Sequence, residues 1–286
     1  MFARGYPPRR MRVALLTCAA LPELDEDGPA LRAALAARGV EGVPVVWGGS
    51  LARFDAAVLR STWDYVPRYA EFVAWARAAA AQTRLFNPFE VAIANTDKRY
   101  LARLAEAGVP VVPTVFLEPG APLPDLADFV VKPSVSAGCK DTGRYRDHRT
   151  ARPLVERIFA RGGVPMVQPH QSGVDAGAET ALMHFDGRFS HAVAKSAMLR
   201  HDQDLEGALF RPEEIAARAA TPAQQRVAQA ALRALGASDA LYARVDLVPG
   251  PEGPRVLEVE LCEPSLFLGY APDAAGRFAA AIAARR

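Results

Sequence analysis

Near the end of the chain, two short stretches place carboxylates at strand spacing. The first reads Tyr242-Ala-Arg244-Val-Asp246. The second, beyond a PGPEGP turn, reads Leu257-Glu258-Val-Glu260-Leu-Cys-Glu263-Pro. Side chains on a strand alternate between faces, so Arg244 shares a face with Asp246, and Glu258 with Glu260. Paired as a hairpin, the two strands can bring Asp246, Glu258 and Glu260 onto one surface. Crowded carboxylates repel unless a cation sits among them. A hard ion such as Mg²⁺ takes carboxylate oxygens and keeps positions open for phosphate and water. Arg244 in the same cluster can hold a phosphate oxygen. An acidic edge strand facing solvent is the plainer alternative.

The lysines carry a second signal. Of 34 Lys and Arg residues only Lys98, Lys132, Lys140 and Lys195 are lysine. In an Ala- and Arg-rich chain, a retained lysine marks a place where a compact point charge suits and a planar guanidinium does not, as in a tight phosphate pocket.

These residues need elements to position them. Strands are expected at 12–17, 43–47 and 56–59, with helices at 28–38 and 69–81, and this alternation argues for a parallel α/β lobe. Asn87-Pro88 breaks the pattern. A helix over 97–107 closes at Gly108, and 109–116 is extended. A short strand, FVVK at 129–132, runs into PSVSAGCKDTGRY, a polar glycine-containing loop over 134–144 that carries Ser136, Gly138 and Lys140. A helix follows at 149–160 and a strand at 164–168. Asp186-Gly187 marks a hairpin between 179–185 and 189–195. A long amphipathic helix covers 221–235, and a terminal helix 278–284. The lobes divide as 11–94, 95–166 and 167–286, after an extension over 1–10. MFARGYPPRR and the apolar run after it loosely mimic a signal peptide, but are read as that extension leading into a first buried strand, with Met1 or Met11 as the start left open.

Composition excludes several classes. The chain is 50% hydrophobic and 23% charged, with a net charge of +2, too little to argue for nucleic acid or an anionic membrane. No apolar run is long enough for a bilayer. Three scattered cysteines, Cys18, Cys139 and Cys262, suit reduced thiols in a cytoplasm. Cys18 follows a strand but has no histidine at a recognisable spacing to activate it, and reads as a small buried thiol. The histidines make no zinc pattern. No Walker A or G-x-G-x-x-G motif is present.

The ordered set over residues 87–286 resembles the ATP-grasp ligases. R-x-D on one strand, E-x-N on the next and a following proline are the pattern, here Arg244-Val-Asp246 and Glu258-Val-Glu260 with Pro264, Glu260 standing where asparagine is usual. The resemblance implies an α/β fold with α+β lobes: an N-terminal parallel α/β lobe, a small central lid subdomain and a C-terminal antiparallel-sheet subdomain. It implies ATP with two Mg²⁺ ions, or Mn²⁺, held by Asp246, Glu258 and Glu260. Lys98 and Lys132 match phosphate-binding lysines, Lys195 a third, and Lys140 lies inside the loop with Ser136 and Gly138. Arg244, Lys132 and Lys195 would act in catalysis. The segment Met166-Val167-Gln168-Pro169 resembles the strand whose backbone reads the adenine edge, and Glu179 the acidic residue that holds the ribose hydroxyls.

The strings VLRSTWDYVPRY and ELCEPSLFL further resemble the branch that includes the O-ureidoserine cyclo-ligase of D-cycloserine biosynthesis. Substrates of open α/β sheets sit beyond the carboxyl ends of strands, so Thr17, Arg60, Thr62 and Asp64 are the expected substrate contacts, with Arg60 as a carboxylate clamp. The implied reaction is activation of a small amino-acid-like carboxylate as an acylphosphate, then attack by a nitrogen, with ring closure if both groups belong to one molecule. An intermolecular ligase of the dipeptide or glutathione-synthetase type and a non-catalytic nucleotide-binding protein stay open at this point. The partner is a small molecule, with no nucleic acid and no membrane, and a homo-oligomer is left open.

Overall fold

β1 (Met11–Thr17) reads as an unbroken apolar run because both of its faces are covered. Val13 and Leu15 pack towards Leu31 and Leu35 of α1 (Gly28–Ala36) and Phe278 and Ile282 of α8 (Ala274–Ala284). Ala14 and Leu16 point the other way, to Phe72 and Ala76 of α2 (Tyr69–Gln82) and Ala92 of α3 (Phe89–Thr96). β1 is central in a parallel sheet with β2 (Val40–Val46), β3 (Ala56–Ser61) and β4 (Arg84–Phe86), in the order β2-β1-β3-β4. This computed structural model describes residues 10–138, 140–196, 199, 203–205 and 214–285. The extension expected over 1–10 therefore lies, except for Arg10, outside the described residues, as do Cys139 and His201.

The middle sheet is antiparallel, in the order β11-β7-β6-β8-β5. Its strands are β5 (Val115–Phe116), β6 (Phe129–Pro133), β7 (Thr142–Tyr145), β8 (Pro165–Pro169) and β11 (Gln203–Leu205). α5 (His148–Ala160) covers it through Leu154 and Ile158, against Phe129, Val131 and Val167. The third sheet, also antiparallel, runs β12-β10-β9-β13-β14. It is built from β9 (Glu179–Phe185), β10 (Arg188–Lys195), β12 (Ile215–Arg218), β13 (Tyr242–Gly250) and β14 (Gly253–Glu260). α7 (Pro222–Ala234) packs on one face of it, entered through a capping box between Thr221 and Gln224. α6 (Ser172–Asp175) is a single turn leading into β9.

The α/β architecture with one parallel and two antiparallel sheets is the one the sequence implied. Four details differ from expectation. β4 and α3 lie on either side of the Asn87-Pro88 break. β7 forms inside the glycine-containing segment, so the irregular loop spans only 134–141. β12 adds an edge strand. The helix expected from residue 97 starts at Tyr100, as α4 (Tyr100–Glu106), because Asp97 is extended in a bridge with Val135.

β14 is an edge strand, and an unpaired edge exposes backbone donors and acceptors. Side chains from the preceding segments take that place. The Tyr100 hydroxyl donates to the Val259 carbonyl at 2.8 Å and accepts from the Val259 N–H at 2.8 Å. Asn95 donates to the Val259 carbonyl at 2.9 Å and accepts from the Leu261 N–H at 2.6 Å. Asn87 bridges both strands of the hairpin, donating to the Tyr242 and Leu261 carbonyls and accepting from the Leu241 N–H, each at 2.8 Å. These buried amides, each able to donate and accept, dock the parallel lobe onto the carboxylate hairpin without leaving a polar group unmet.

Candidate active site

The hairpin of β13 and β14 pairs Arg244 opposite Glu260 and Asp246 opposite Glu258. Directly opposed side chains on an antiparallel pair lie about 5 Å apart, so the four charged groups form one tight quartet. Asp246 accepts from Arg244 Nε at 2.9 Å and from Lys195 Nζ at 3.2 Å. Glu260 is in contact with the same guanidinium. Glu258 meets Lys98 Nζ at 3.1 Å and lies 4.0 Å from Lys132 Nζ. Lys195 also reaches Glu179, at 2.9 Å.

Burial sets the electrostatics. It pushes the Asp246 and Glu258 carboxyls up, but Arg244 and Lys195 outweigh it at Asp246, and Lys98 and Lys132 at Glu258, so both end below their ordinary values. Glu260 goes the other way. Burial, with Glu258 and Asp246 close by, overrides Arg244 and lifts its carboxyl to about 8. Burial alone would lower the Lys98 ammonium, yet Glu258 and the carboxylates behind it raise it, so it stays charged.

These residues line a cavity of about 220 Å³ to which both antiparallel sheets, the loop after β3 and the end of α3 contribute. Lys98 sits in the turn between α3 and α4, its backbone N–H held by the Ser134 carbonyl at 2.8 Å. Its ammonium donates to the Ser136 carbonyl at 3.2 Å and hydroxyl at 3.1 Å, tying it to the base of the 134–141 loop. Lys132 ends β6. Glu179 opens β9 and Lys195 closes β10, and the hairpin register sets them opposite each other. Gln168, Ser136 and Gly138 complete the expected set at the cavity.

Six expected residues are not brought there. Val167 is fully buried between β5 and β6 in the middle core, so the strand reaches the cavity only at Gln168 and Pro169. Lys140 lies beyond the part of the loop that faces the cavity. Thr17 is buried, its hydroxyl bonded to the Leu21 carbonyl at 2.6 Å and Ser61 at 2.8 Å. Arg60 is buried and committed to the interior: it donates to the Pro264 carbonyl at 3.1 Å and pairs with Asp25 at 3.5 Å and Asp27 at 3.6 Å. Thr62 is buried as well. Asp64 accepts from the Trp47 indole at 2.5 Å and from Arg68 at 3.0 Å. The loop 60–65 thus braces the parallel lobe, and its contribution to the cavity is Trp63 and Tyr65. Asn95, His170, Cys262 and Glu263 also line the cavity without having been expected there. Of these, Cys262 and Glu263 were legible as continuations of the β14 pattern. Cys18 and Cys262 are buried free thiols, and burial is the first cause raising both, so neither is an activated nucleophile.

Among the described residues, no three acidic, histidine or cysteine side chains already converge as metal ligands. The donor set nevertheless fits divalent cations. Asp246, Glu258 and Glu260 supply hard oxygens on one surface. The lift of Glu260 to about 8 is first the cost of burying its charge, to which Glu258 and Asp246 add against the pull of Arg244.

A cavity clasped between two antiparallel sheets, with lysines from both facing a carboxylate hairpin, defines an ATP-grasp ligase. The fold agrees. The RimK domain ATP-grasp protein of Sphaerobacter thermophilus superposes with a TM-score of 0.65 at 20% identity, covering 94% of this chain and 98% of that one. The D-alanine–D-alanine ligase of Bacillus anthracis, complexed with ATP, does so at 0.62 and 16%, covering 95% and 94%. Residues 13–87 match the family described as D-cycloserine synthetase DcsG, N-terminal domain. Over 296 aligned residues the chain is 41% identical to the cycloserine biosynthesis protein DcsG of Streptomyces lavendulae, covering 96% of this chain and 98% of that protein. The crystal structure of D-cycloserine synthetase DcsG matches with a TM-score of 0.86 at 39% identity, covering 96% and 99%. The chain belongs to the DcsG family of ATP-grasp ligases and is an ATP-dependent ligase.

Proposed function

We propose that the chain closes O-ureido-D-serine to D-cycloserine, with ATP activating the carboxylate. The observation that carries this reading is the charged quartet of β13 and β14 meeting Lys98, Lys132 and Lys195 in one cavity. The full-length similarity to a D-cycloserine synthetase supports the choice of substrate.

In this reading Asp246, Glu258 and Glu260 hold two Mg²⁺ ions, with Mn²⁺ able to substitute. Bound there, the ions neutralise and orient the β- and γ-phosphate oxygens. Lys98 and Lys132, which face Glu258, are the residues that would meet phosphate oxygens if that carboxylate held a cation. Glu179, at the mouth of its hairpin, takes the ribose hydroxyls, and the Gln168–Pro169 backbone takes the adenine edge. The substrate carboxylate attacks the γ-phosphorus, ADP departs, and an acylphosphate remains. Arg244, held by Asp246 and Glu260, stabilises charge on the acyl oxygens while the oxygen-bound nitrogen of the same molecule attacks the carbonyl carbon and phosphate leaves; water then removes the carbamoyl group from that nitrogen as CO2 and NH3, leaving the ring N–H. The chain supplies position and charge rather than a covalent nucleophile. The loop 134–141, tied to Lys98 through Ser136, excludes water that would hydrolyse the acylphosphate. The lobes divide the work accordingly: 11–94 shapes the substrate wall, 95–166 carries the lid, and 167–286 carries the metal site.

The test is phosphate release from ATP and Mg²⁺ with O-ureido-D-serine as the sole carboxylate and no added amine, with the product identified by mass spectrometry. D-cycloserine formed with phosphate released in step is the expected result. Turnover only when a second amine is supplied would make the enzyme an intermolecular ligase.

A further inference from the structure

Five carboxylates line the cavity, and four of them are answered by a cation. Glu179 meets Lys195, Asp246 meets Arg244 and Lys195, Glu258 meets Lys98, and Glu260 meets Arg244. Glu263 is the exception: among the described residues no lysine, arginine or histidine pairs with it. Burial raises its carboxyl, and the Cys262 thiol, the Tyr65 hydroxyl and the charge of Lys98 pull it back. The thiol and the hydroxyl are neutral donors, and Lys98 acts on Glu263 only from beyond its own pairing with Glu258.

Asp27 shows how this chain treats a carboxylate whose task is structural. It accepts from the Leu266 N–H at 3.1 Å and the Leu268 N–H at 2.7 Å, and Arg60 lies 3.6 Å away. Glu263 receives none of that. Its backbone is instead held, the Trp63 indole donating to its carbonyl at 2.8 Å, while the side chain is left at the cavity wall. A partly buried carboxylate fixed by neutral donors beside a cavity is a site that awaits a cation from outside the chain.

We infer that Glu263 holds the α-ammonium group of the amino-acid substrate. The inference rests on the ligase reading above, and geometry selects the ammonium. The reacting carboxyl must lie against the γ-phosphate, hence beside Lys98, Lys132 and Glu258. In an α-amino acid the ammonium sits on the carbon next to that carboxyl. Glu263 is near enough to this end of the cavity that its charge bears on Lys98, and that of Glu258 on it. Trp63 and Tyr65 line the same wall, and aromatic faces favour a neighbouring ammonium. The loop 60–65 therefore serves substrate recognition through its aromatics and through Glu263, not through a carboxylate clamp at Arg60.

The experiment compares wild type and Glu263→Gln with two carboxylates: O-ureido-D-serine and 3-(ureidooxy)propanoate, the same molecule without the amine. A charge-assisted bond lost from the site predicts a KM for O-ureido-D-serine raised about 10- to 100-fold in the variant. The KM for ATP stays within about two-fold, and phosphate release with the amine-free analogue is alike in the two proteins. A parallel loss with the analogue, or a matching rise in the KM for ATP, would make Glu263 structural or a phosphate-site residue and overturn the assignment. An unchanged KM for O-ureido-D-serine in an active wild type overturns it alone. Failure of wild type to act on O-ureido-D-serine overturns the substrate reading itself, and the assignment with it.

Discussion

Replacing Arg60 by Met tests whether this residue belongs to the substrate or to the fold. Its guanidinium is 1% exposed and faces two carboxylates that are themselves 6% and 4% exposed, Asp25 and Asp27. Methionine keeps much of the apolar stem and removes the charge. Breaking a buried pair by deleting one partner costs about 3–5 kcal/mol. The separations of 3.5 and 3.6 Å are long for such a pair and argue for the low end, about 3 kcal/mol. The bond to the Pro264 carbonyl is lost as well. In a chain of this length about 3 kcal/mol corresponds to a fall in Tm of roughly 6–12 °C. The deficit depends on pH with a definite sign. Burial already raises the Asp25 and Asp27 carboxyls against the pull of Arg60. A raised carboxyl costs stability as pH climbs from its unfolded value to its folded one. Removing Arg60 raises both further, so the gap between variant and wild type widens towards neutral pH and narrows in acid. Thermal melts of both proteins at pH 5 and pH 7.5 measure this, with KM for O-ureido-D-serine taken well below the variant's Tm. The reasoning is refuted if the variant melts like wild type at pH 7.5 while its KM for the carboxylate substrate rises ten-fold.

Glu258→Gln leaves Lys98 and Lys132 without their carboxylate and removes a hard-cation oxygen; turnover is expected to fall by more than ten-fold, or about 1.4 kcal/mol in the barrier, read by steady-state phosphate release at a temperature below the variant's Tm, which itself falls because buried Lys98 loses its partner. Lys132→Arg keeps the charge but puts a planar guanidinium into a space lined by Glu258 and the loop base; both kcat and ATP affinity are expected to drop, and a variant indistinguishable from wild type in nucleotide titration would remove the argument from lysine retention. Without nucleotide or Mg²⁺, the lift of Glu260 to about 8 makes the protein bind a proton that the unfolded chain has released, so its stability contribution declines as pH rises from the ordinary glutamate range to about 8, by at most about 1.4 kcal/mol per pH unit. Glu260→Gln should flatten that decline in denaturant titrations at successive pH values, and an unaltered slope counts against the burial of the Glu260 charge in this cluster.

The carboxylate hairpin was legible because its geometry is local. Strand alternation puts Arg244 with Asp246 and Glu258 with Glu260, and a tight Pro251-Glu252 turn within the Pro/Gly stretch folds one pair onto the other. The lysines were legible for a chemical reason, since a point charge in a tight site resists exchange for arginine. Three of the four line the cavity, and Lys140 does not, because residue type cannot say which way a loop faces. β7 was hidden because it is four residues long, is broken by Gly143 and follows a polar glycine-containing loop; pairing with β6, and Arg144 bridging Asp128 at 2.7 Å and Asp175 at 3.0 Å, hold it in place.

The parallel lobe marks the limit of what local pattern can decide. Its buried strands and their two-sided packing follow from apolar runs alone. The role of Arg60 does not, because it depends on Asp25 and Asp27 in a loop before α1 and on a carbonyl about two hundred residues further along. Asn87 and Asn95 likewise look like turn and helix residues until the β14 edge they cover is in place. Glu263 is a carboxylate in an acidic stretch of the sequence, and only the folded cavity shows that the other four acids lining it form ion pairs while, among the described residues, Glu263 forms none. Residue chemistry and short-range periodicity are written along the chain. Which charges meet, and which are left for a ligand, is decided by contacts between segments far apart in sequence, whose energies no single segment contains.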